Sequence, residues 1–334
     1  MANQLQHYVP RFLLRQFGNG KKEHVHVIDK QSGNEFSFSA SKKSAISVAA
    51  EYGMYDFEFD GNSLTIEPGL AELETQSADY VSRIVKEQRL AIDDPMERGI
   101  LARFLAVQMV RTRAVREKQR DILDRLREWM EKEGAPNELF APDPLVGEGE
   151  NAAKAFMAKT ICNAPNHYGQ ALVEKDWLLI ATEAKYPFLM GDHPIAMVND
   201  VDRPGRGNLG IKCEGIQIYL PLSPTLALAL WCPSLQRRLL TLMEKMDAKS
   251  MNLELCEADL KAWVRAVESV EAIRKGVPLT YAPENAMYFN SLQVIHAERF
   301  IFSNRKEFAL VHEMVEKDHS LRQGPRMTEA TGKF

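Results

Sequence analysis

Apolar and polar positions near the start of the chain alternate with period two, and further on with period near 3.6. His24-Val25-His26-Val27-Ile28-Asp29 alternates, the pattern of a strand with one buried face. Lys30 to Asn34 reads as a turn and Glu35-Phe36-Ser37-Phe38 as the partner strand. Tyr52 to Phe59 is aromatic and extended, and Gly61-Asn62 closes this β opening. From Glu67 to Arg89 the pattern turns helical, with Leu70, Ala71, Ala78, Val81, Ile84 and Val85 in one stripe. A second helix is predicted from Pro95 to about Lys132 on the stripe Ile100, Leu101, Phe104, Leu105 and Val115, with Arg103, Ala106 and Arg113 facing away. Ala152 to Leu172 is a helix interrupted by Pro165.

The second half brings back strands. Trp177–Thr182 and Pro187–Met190 form a predicted hairpin, and Ile216–Leu220 and Thr225–Trp231 are further strands joined at Pro221-Leu222-Ser223-Pro224. Leu235–Lys245 and Ala258–Lys275 are helical, and Asn285 to Ala297 is apolar almost all round, the mark of a buried helix. The expected fold is therefore α+β: an antiparallel meander sheet packed against a bundle of helices, with a buried C-terminal helix. Residues 1–318 form one domain in this reading. The Pro- and Gly-rich stretch 134–150 is the place for a hinge between two lobes, and 319–334 is a mobile polar tail.

Composition narrows the function only a little. With 45% apolar and 26% charged residues, the chain of 334 is an ordinary globular one. A net charge of -4 gives no global attraction to nucleic acid or anionic membrane, although a local basic groove stays open. No apolar run is long enough to span a bilayer, and the polar N-terminus lacks the apolar segment of a signal peptide. Cys162, Cys213, Cys232 and Cys256 are scattered without CxxC spacing, which points to reduced thiols and a cytoplasmic location. His24 and His26 share a strand face, but no carboxylate or cysteine nearby completes a metal site. Walker, GxGxxG, HExxH and GxSxG patterns are missing, so ATP-driven, nicotinamide-dependent, zincin and serine-hydrolase readings lack support.

The chemistry gathers instead in polar residues on faces that should be buried. Near the N-terminus, Pro10 suits a first helical position and Gly18 a position past the end, so Pro10–Phe17 reads as a two-turn helix held by packing. His7 precedes it in an extended approach and is either delivered to an interior site or bonded to nearby backbone. Glu74 and Glu67 fall on the apolar stripe of their helix, and Gln108, Arg111 and Thr112 on that of theirs. Arg111 with Glu74 is the natural pair: a buried ion pair fixing register, or an Arg awaiting phosphate or carboxylate. Glu74 is also the one candidate metal ligand. Asp192 ends a strand ahead of Pro194, as a functional side chain or a turn residue. Asn290 lies inside the apolar helix and Arg299 just beyond it.

Several of these residues sit in stretches that resemble one family. His7-Tyr8-Val9-Pro10 with the aromatic Phe17, Arg103-Phe104 through Gln108 to Arg111-Thr112, Trp177-Leu178-Leu179 leading to Gly191-Asp192-His193-Pro194, Pro221-Leu222-Ser223-Pro224, and Asn290 through Arg299 to Ser303 resemble the DUF4238 family in that order. The resemblance spans about residues 6 to 303 and implies no activity, because the family's own function is undefined. Asn is more usual than His after the family's Asp, which separates His193 from a shared role.

If His7, Gln108, Arg111, Asp192, Asn290 and Arg299 converge, they make a pocket fit for acid–base chemistry on an anion. The expectation is a hydrolase or transferase acting on a phosphate-bearing substrate, nucleic acid of a defence or toxin system included. The alternatives are a non-catalytic module for a small anion or protein partner, and a polar core that is structural only. The residues leave the cofactor, the metal need and the oligomeric state undetermined.

Overall fold

The computed structural model describes residues 4–40, 48–134, 149–202, 207–251 and 255–326. It opens with β1 (Leu5–His7), α1 (Arg11–Gln16) and the hairpin of β2 (His24–Asp29) and β3 (Glu35–Ser39). Pro10 stands one position ahead of α1 rather than in it, because its ψ of 136° is still extended. Gly18 does follow the helix, but its positive-φ freedom is not what the turn uses. A Cβ there would lie 2.7 Å from that of Glu23, so the chain can fold back into β2 only without one. β4 (Ala50–Tyr52), β5 (Asp56–Phe59) and β6 (Asn62–Thr65) follow, so the aromatic stretch is two strands parted by a turn at Gly53, whose φ is 58°.

Four helices come next: α2 (Glu67–Glu87), α3 (Pro95–Val110), α4 (Arg113–Lys132) and α5 (Glu150–Val173). The single helix expected from Pro95 to Lys132 is broken at Arg111–Thr112, where Thr112 is extended at ψ 159°. Polar contacts hold the break: the Tyr55 hydroxyl donates to the Arg111 carbonyl, and the Thr112 side chain bonds His193. Ala106, expected to face away, is buried because α3 lies against both α2 and α5. Pro165 does not interrupt α5, which runs on through it; a helix packed along its length tolerates the one missing N–H. The expected hinge falls almost wholly on 135–148, outside the described residues.

The second half contributes β7 (Asp176–Ala181), β8 (Met190–Gly191), β9 (Ala196–Val198), β10 (Gln217–Ser223), β11 (Leu226–Trp231), α6 (Pro233–Met251), α7 (Glu257–Lys275), β12 (Pro278–Thr280), α8 (Pro283–His296), β13 (Phe300–Ser303) and α9 (Ala309–Lys317). The class is α+β, with sheets built mainly from antiparallel pairs. A five-stranded sheet has the order β12-β7-β11-β10-β9, and only β12 joins it in parallel. The hairpin expected between 177–182 and 187–190 does not form. Both edges of β7 are taken by β11 and β12, while β8 pairs with β13 in a second sheet of order β3-β2-β13-β8.

Strand alternation covers the larger sheet on both faces. Trp177, Leu179, Ile218, Leu220, Leu228 and Leu230 point into the cluster that holds α1, α3 and α5. Leu178, Ile180, Tyr219, Ala227 and Ala229 meet Ala272 of α7 and Phe289 and Leu292 of α8. α8 is therefore buried on one side only, not all round: Met287 and Tyr288 remain 56% and 51% exposed on the other. Within the stretch read as a tail, His319–Arg322 forms a short 3-10 turn and Arg326 bonds Glu298. Residues 327–334 lie outside the described residues. Among the described residues no helix is long and apolar enough to cross a membrane.

Candidate functional site

The N-terminal segment is plugged into the break between α3 and α4. β1 pairs with β4, and the Tyr8 N–H donates to the Ala49 carbonyl at 2.9 Å, so the chain start is fixed. Gln108 Nε2 donates to the Tyr8 carbonyl at 3.0 Å, and Arg111 Nε donates to Gln108 Oε1 at 2.8 Å. Arg111 Nη1 reaches Glu74 Oε1 at 2.7 Å, which forms the expected pair. Tyr55 spans the group, its hydroxyl donating toward the carbonyls of His7 at 3.3 Å and Arg111 at 3.4 Å. Glu67 lies nearby, pushed up to about 7 by burial first and then by the charge of Glu74, against the pull of Arg111.

A second group forms where β8 meets β13. Gly191 lets β8 press on α8, since a Cβ would come within 3.0 Å of Ala297 and of the Gln293 carbonyl. The next residue, Asp192, is fully buried. Its carboxylate accepts the N–H of Glu298 at 2.7 Å and that of Arg299 at 3.1 Å. Burial nonetheless pushes its carboxyl up to about 6, against the pull of those backbone donors and of Lys30. Lys30 is itself buried, donates to the Val294 and Ala297 carbonyls at 2.7 Å each, and is pulled down to about 8 chiefly by burial. Arg299 Nη2 binds Asp29 at 2.7 Å, and its guanidinium carbon stands 4.8 Å from the Phe300 ring centre.

Two links join the groups. The first is His193 Nδ1, 2.6 Å from Thr112 Oγ1. Burial, then the charges of His296 and Lys118, pull His193 down to about 3, so its imidazole is neutral at pH 7. The second is Tyr8. Burial pushes its phenol well above the ordinary range; Asp192 and Glu51 push the same way, and Arg113 and Arg116 oppose them. Arg116 grips Glu51 through both terminal nitrogens at 2.7 and 2.9 Å, and Arg113 Nε lies 3.7 Å from the same carboxylate. The charges of Tyr8 and Asp192 also bear on Arg299.

The junction is rich in donors. α4 starts here, and the Thr112 hydroxyl, turned toward His193, does not cap it. Arg111 Nη2, Arg113 Nε and Arg299 Nε are buried with no hydrogen-bond acceptor among the described residues. Buried donors of native proteins are nearly always matched. Among the described residues no three His, Cys, Asp or Glu side chains stand together as a metal site, and Glu74 is held by Arg111.

Of the residues singled out in the sequence, Gln108 and Arg111 enter the first group by their side chains, His7 enters it through its backbone carbonyl, and Asp192 and Arg299 enter the second. Asn290 enters neither. Its side-chain oxygen accepts the Leu189 N–H at 2.7 Å and its amide donates to the Pro187 carbonyl at 2.9 Å, which pins the segment leading into β8. Gln293, one turn on, takes the Gly191 N–H at 2.9 Å and donates to the Pro194 carbonyl at 3.1 Å, so it positions Asp192 and His193 more directly. Sequence reasoning misses Tyr8, Glu51, Arg113, Arg116 and His193 as members of the site. Tyr8 lies inside the N-terminal motif beside His7; Arg113 projects away from the apolar side of its helix, and Arg116 opens the mixed-sign run Arg116 to Glu128, which reads as a solvated face. Glu51, on a three-residue strand, carries no local signal.

No curated protein and no solved structure matches the chain. A family model described as "Protein of unknown function (DUF4238)" matches residues 5–307, which span both polar groups and the strands that carry them. The chain belongs to the DUF4238 family.

Proposed function

We propose that the junction of β1, α4 and β8 binds a phosphate-bearing substrate and moves a proton on it, as a hydrolase or transferase does. The observation that carries this reading is the setting of Tyr8, a buried phenol within reach of the charges of Asp192, Glu51, Arg113, Arg116 and Arg299. Guanidinium groups suit a tetrahedral oxyanion, and two here keep an unmatched N–H. Arg113 and Arg299 hold the anion, with the N-terminus of α4 behind them. Asp192, poised near 6, is the proton carrier, and Tyr8 orients the group it acts on. With a net charge of -4, a small phosphate ester fits better than a long nucleic acid, and four unpaired cysteines favour a reducing, cytoplasmic setting.

A second reading, an anion-binding module without turnover, has one observation in its favour. Both Asp192 oxygens already accept backbone N–H groups, which ties the carboxylate to structure. Calorimetry with inorganic phosphate and pyrophosphate, alongside phosphate release from a panel of mono- and diesters, separates the two. Turnover that D192N abolishes while binding persists supports the enzyme. Binding without turnover supports the module, and neither rejects both.

A further inference from the structure

The peptide group between Ala297 and Glu298 is held at both ends. Its carbonyl accepts a hydrogen bond from Lys30 Nζ at 2.7 Å, and its N–H donates to Asp192 Oδ1 at 2.7 Å. A peptide group is planar and rigid, so whatever fixes one end sets the angle at which the other meets the carboxylate. The bond from the buried ammonium to the carbonyl also polarises the N–H toward Asp192. The Arg299 N–H lies farther off, at 3.1 Å from Oδ2 and 3.3 Å from Oδ1. The shortest N–H contact of the Asp192 side chain thus comes from a unit whose orientation other residues decide.

The third anchor of that unit is the Glu298 side chain. It is 3% exposed, and a buried carboxylate is costly without partners. Its donors come from the last of the described residues. Arg326 Nη2 meets one oxygen at 2.6 Å; Arg326 Nη1 at 3.0 Å and the Gly324 N–H at 3.2 Å meet the other. Gly324 makes this approach possible, because a Cβ there would lie 2.6 Å from Glu298 Oε2. Pro325, its φ fixed by the ring, stiffens the chain between the two donors. The far end of the segment is tied as well: the Asp318 carboxylate accepts the Ser320 N–H at 2.9 Å and caps the 3-10 turn His319–Arg322. Residues 318–326 therefore form a strap running from the end of α9 to Glu298. The charges of Glu117 and Asp121 on α4 bear on Arg326 too, and Glu117 stands 3.4 Å from Arg116, so the strap ends beside the junction.

We infer that this strap positions Asp192, acting through the Glu298 peptide group rather than by a contact of its own with the Asp192 carboxylate. Arg326 and Glu298 are positioning residues in this account. With Arg326 in place the Glu298 side chain is locked and its N–H stays on Asp192, which favours the ionised carboxylate. Without it the buried Glu298 carboxylate loses its cation and turns toward water. The peptide group turns with it, and Asp192 keeps its proton to higher pH. The other groups that bear on Asp192 are Lys30 after β2, Tyr8 after β1 and Arg299 ahead of β13, and they are the same in both cases. What this means for proton transfer rests on the role given to Asp192 above; the positioning itself does not.

The full chain, with its aspartate carboxyls labelled with carbon-13, is titrated by NMR, and D192N assigns the Asp192 signal. In R326Q the Asp192 midpoint is expected to rise by about one pH unit over the native chain. R326K, which keeps the charge and one contact, raises it by about half as much and carries the test where R326Q fails to fold. G324A, which crowds the Glu298 carboxylate and removes no charge, raises it as well. N290A is the control: it removes two hydrogen bonds of the segment leading into β8 and leaves the midpoint in place. An unchanged or lowered midpoint in any folded member of the three strap variants, or an equal rise in N290A, overturns the proposal. The titration needs no substrate, so a native chain that fails to bind phosphate rejects the earlier reading and leaves this result standing.

Discussion

Arg111 Nη1 stands 2.7 Å from Glu74 Oε1, and the Arg111 side chain is 1% exposed against 27% for Glu74. The burden of this pair is unequal. Removing Glu74 leaves a guanidinium deep in the protein, whereas removing Arg111 leaves a carboxylate that water reaches. E74A is therefore expected to cost about 3–5 kcal/mol, and E74A/R111M to recover much of that loss, in urea unfolding with unchanged slope.

Ionisable groups of the site set opposite pH trends. Asp192 rises from 3.8 to about 6, so the folded protein holds an extra proton between those values. Its ionisation therefore removes up to about 3 kcal/mol of stability as pH climbs through that window. His193 falls from 6.5 to about 3, so the unfolded chain holds the extra proton there, and stability is lost as pH drops below 6.5. The stability of D192N relative to the native chain should rise from pH 4 to 7, and that of H193Q should rise from pH 7 to 4. Denaturant midpoints at matched pH check both signs.

Asn290 ties down Pro187 and Leu189 without entering the junction. N290A removes both of these hydrogen bonds; it should cost about 1–3 kcal/mol and leave phosphate affinity unchanged. Q293A, which frees Gly191 and Pro194, should weaken that affinity as well, by calorimetry.

Glu298 is 3% exposed at its side chain and closes on Arg326 at 2.6 Å, while its own N–H serves Asp192. Arg326 Nη1 at 3.0 Å and the Gly324 N–H at 3.2 Å add two further donors to the same carboxylate. R326A is expected to cost about 3–5 kcal/mol, measured by thermal or urea unfolding.

Much of the fold is legible in the sequence because periodicity is a local signal. β2, α2 and α7 fall close to their expected bounds. Pairing between distant strands is not legible: nothing near Met190 states that its ladder partner is Phe302. The α3–α4 break leaves no mark because Thr112 is a mediocre but permitted helix residue, and its reason for leaving the helix, His193, lies 81 residues away. The Arg111–Glu74 pair is readable from helical projection alone. Arg113 and Arg116 are not: one projects away from the apolar side of its helix and the other opens a mixed-charge run, and neither is placed at the site until Tyr8 and Glu51 are known to stand against them.

The direct test of the anion-binding junction is calorimetric titration of inorganic phosphate into the native chain and into R113Q at low salt. Saturable binding at one site, weakened about tenfold in R113Q with folding intact, is the predicted result. An absence of saturable heat, or equal affinity in R113Q, contradicts it.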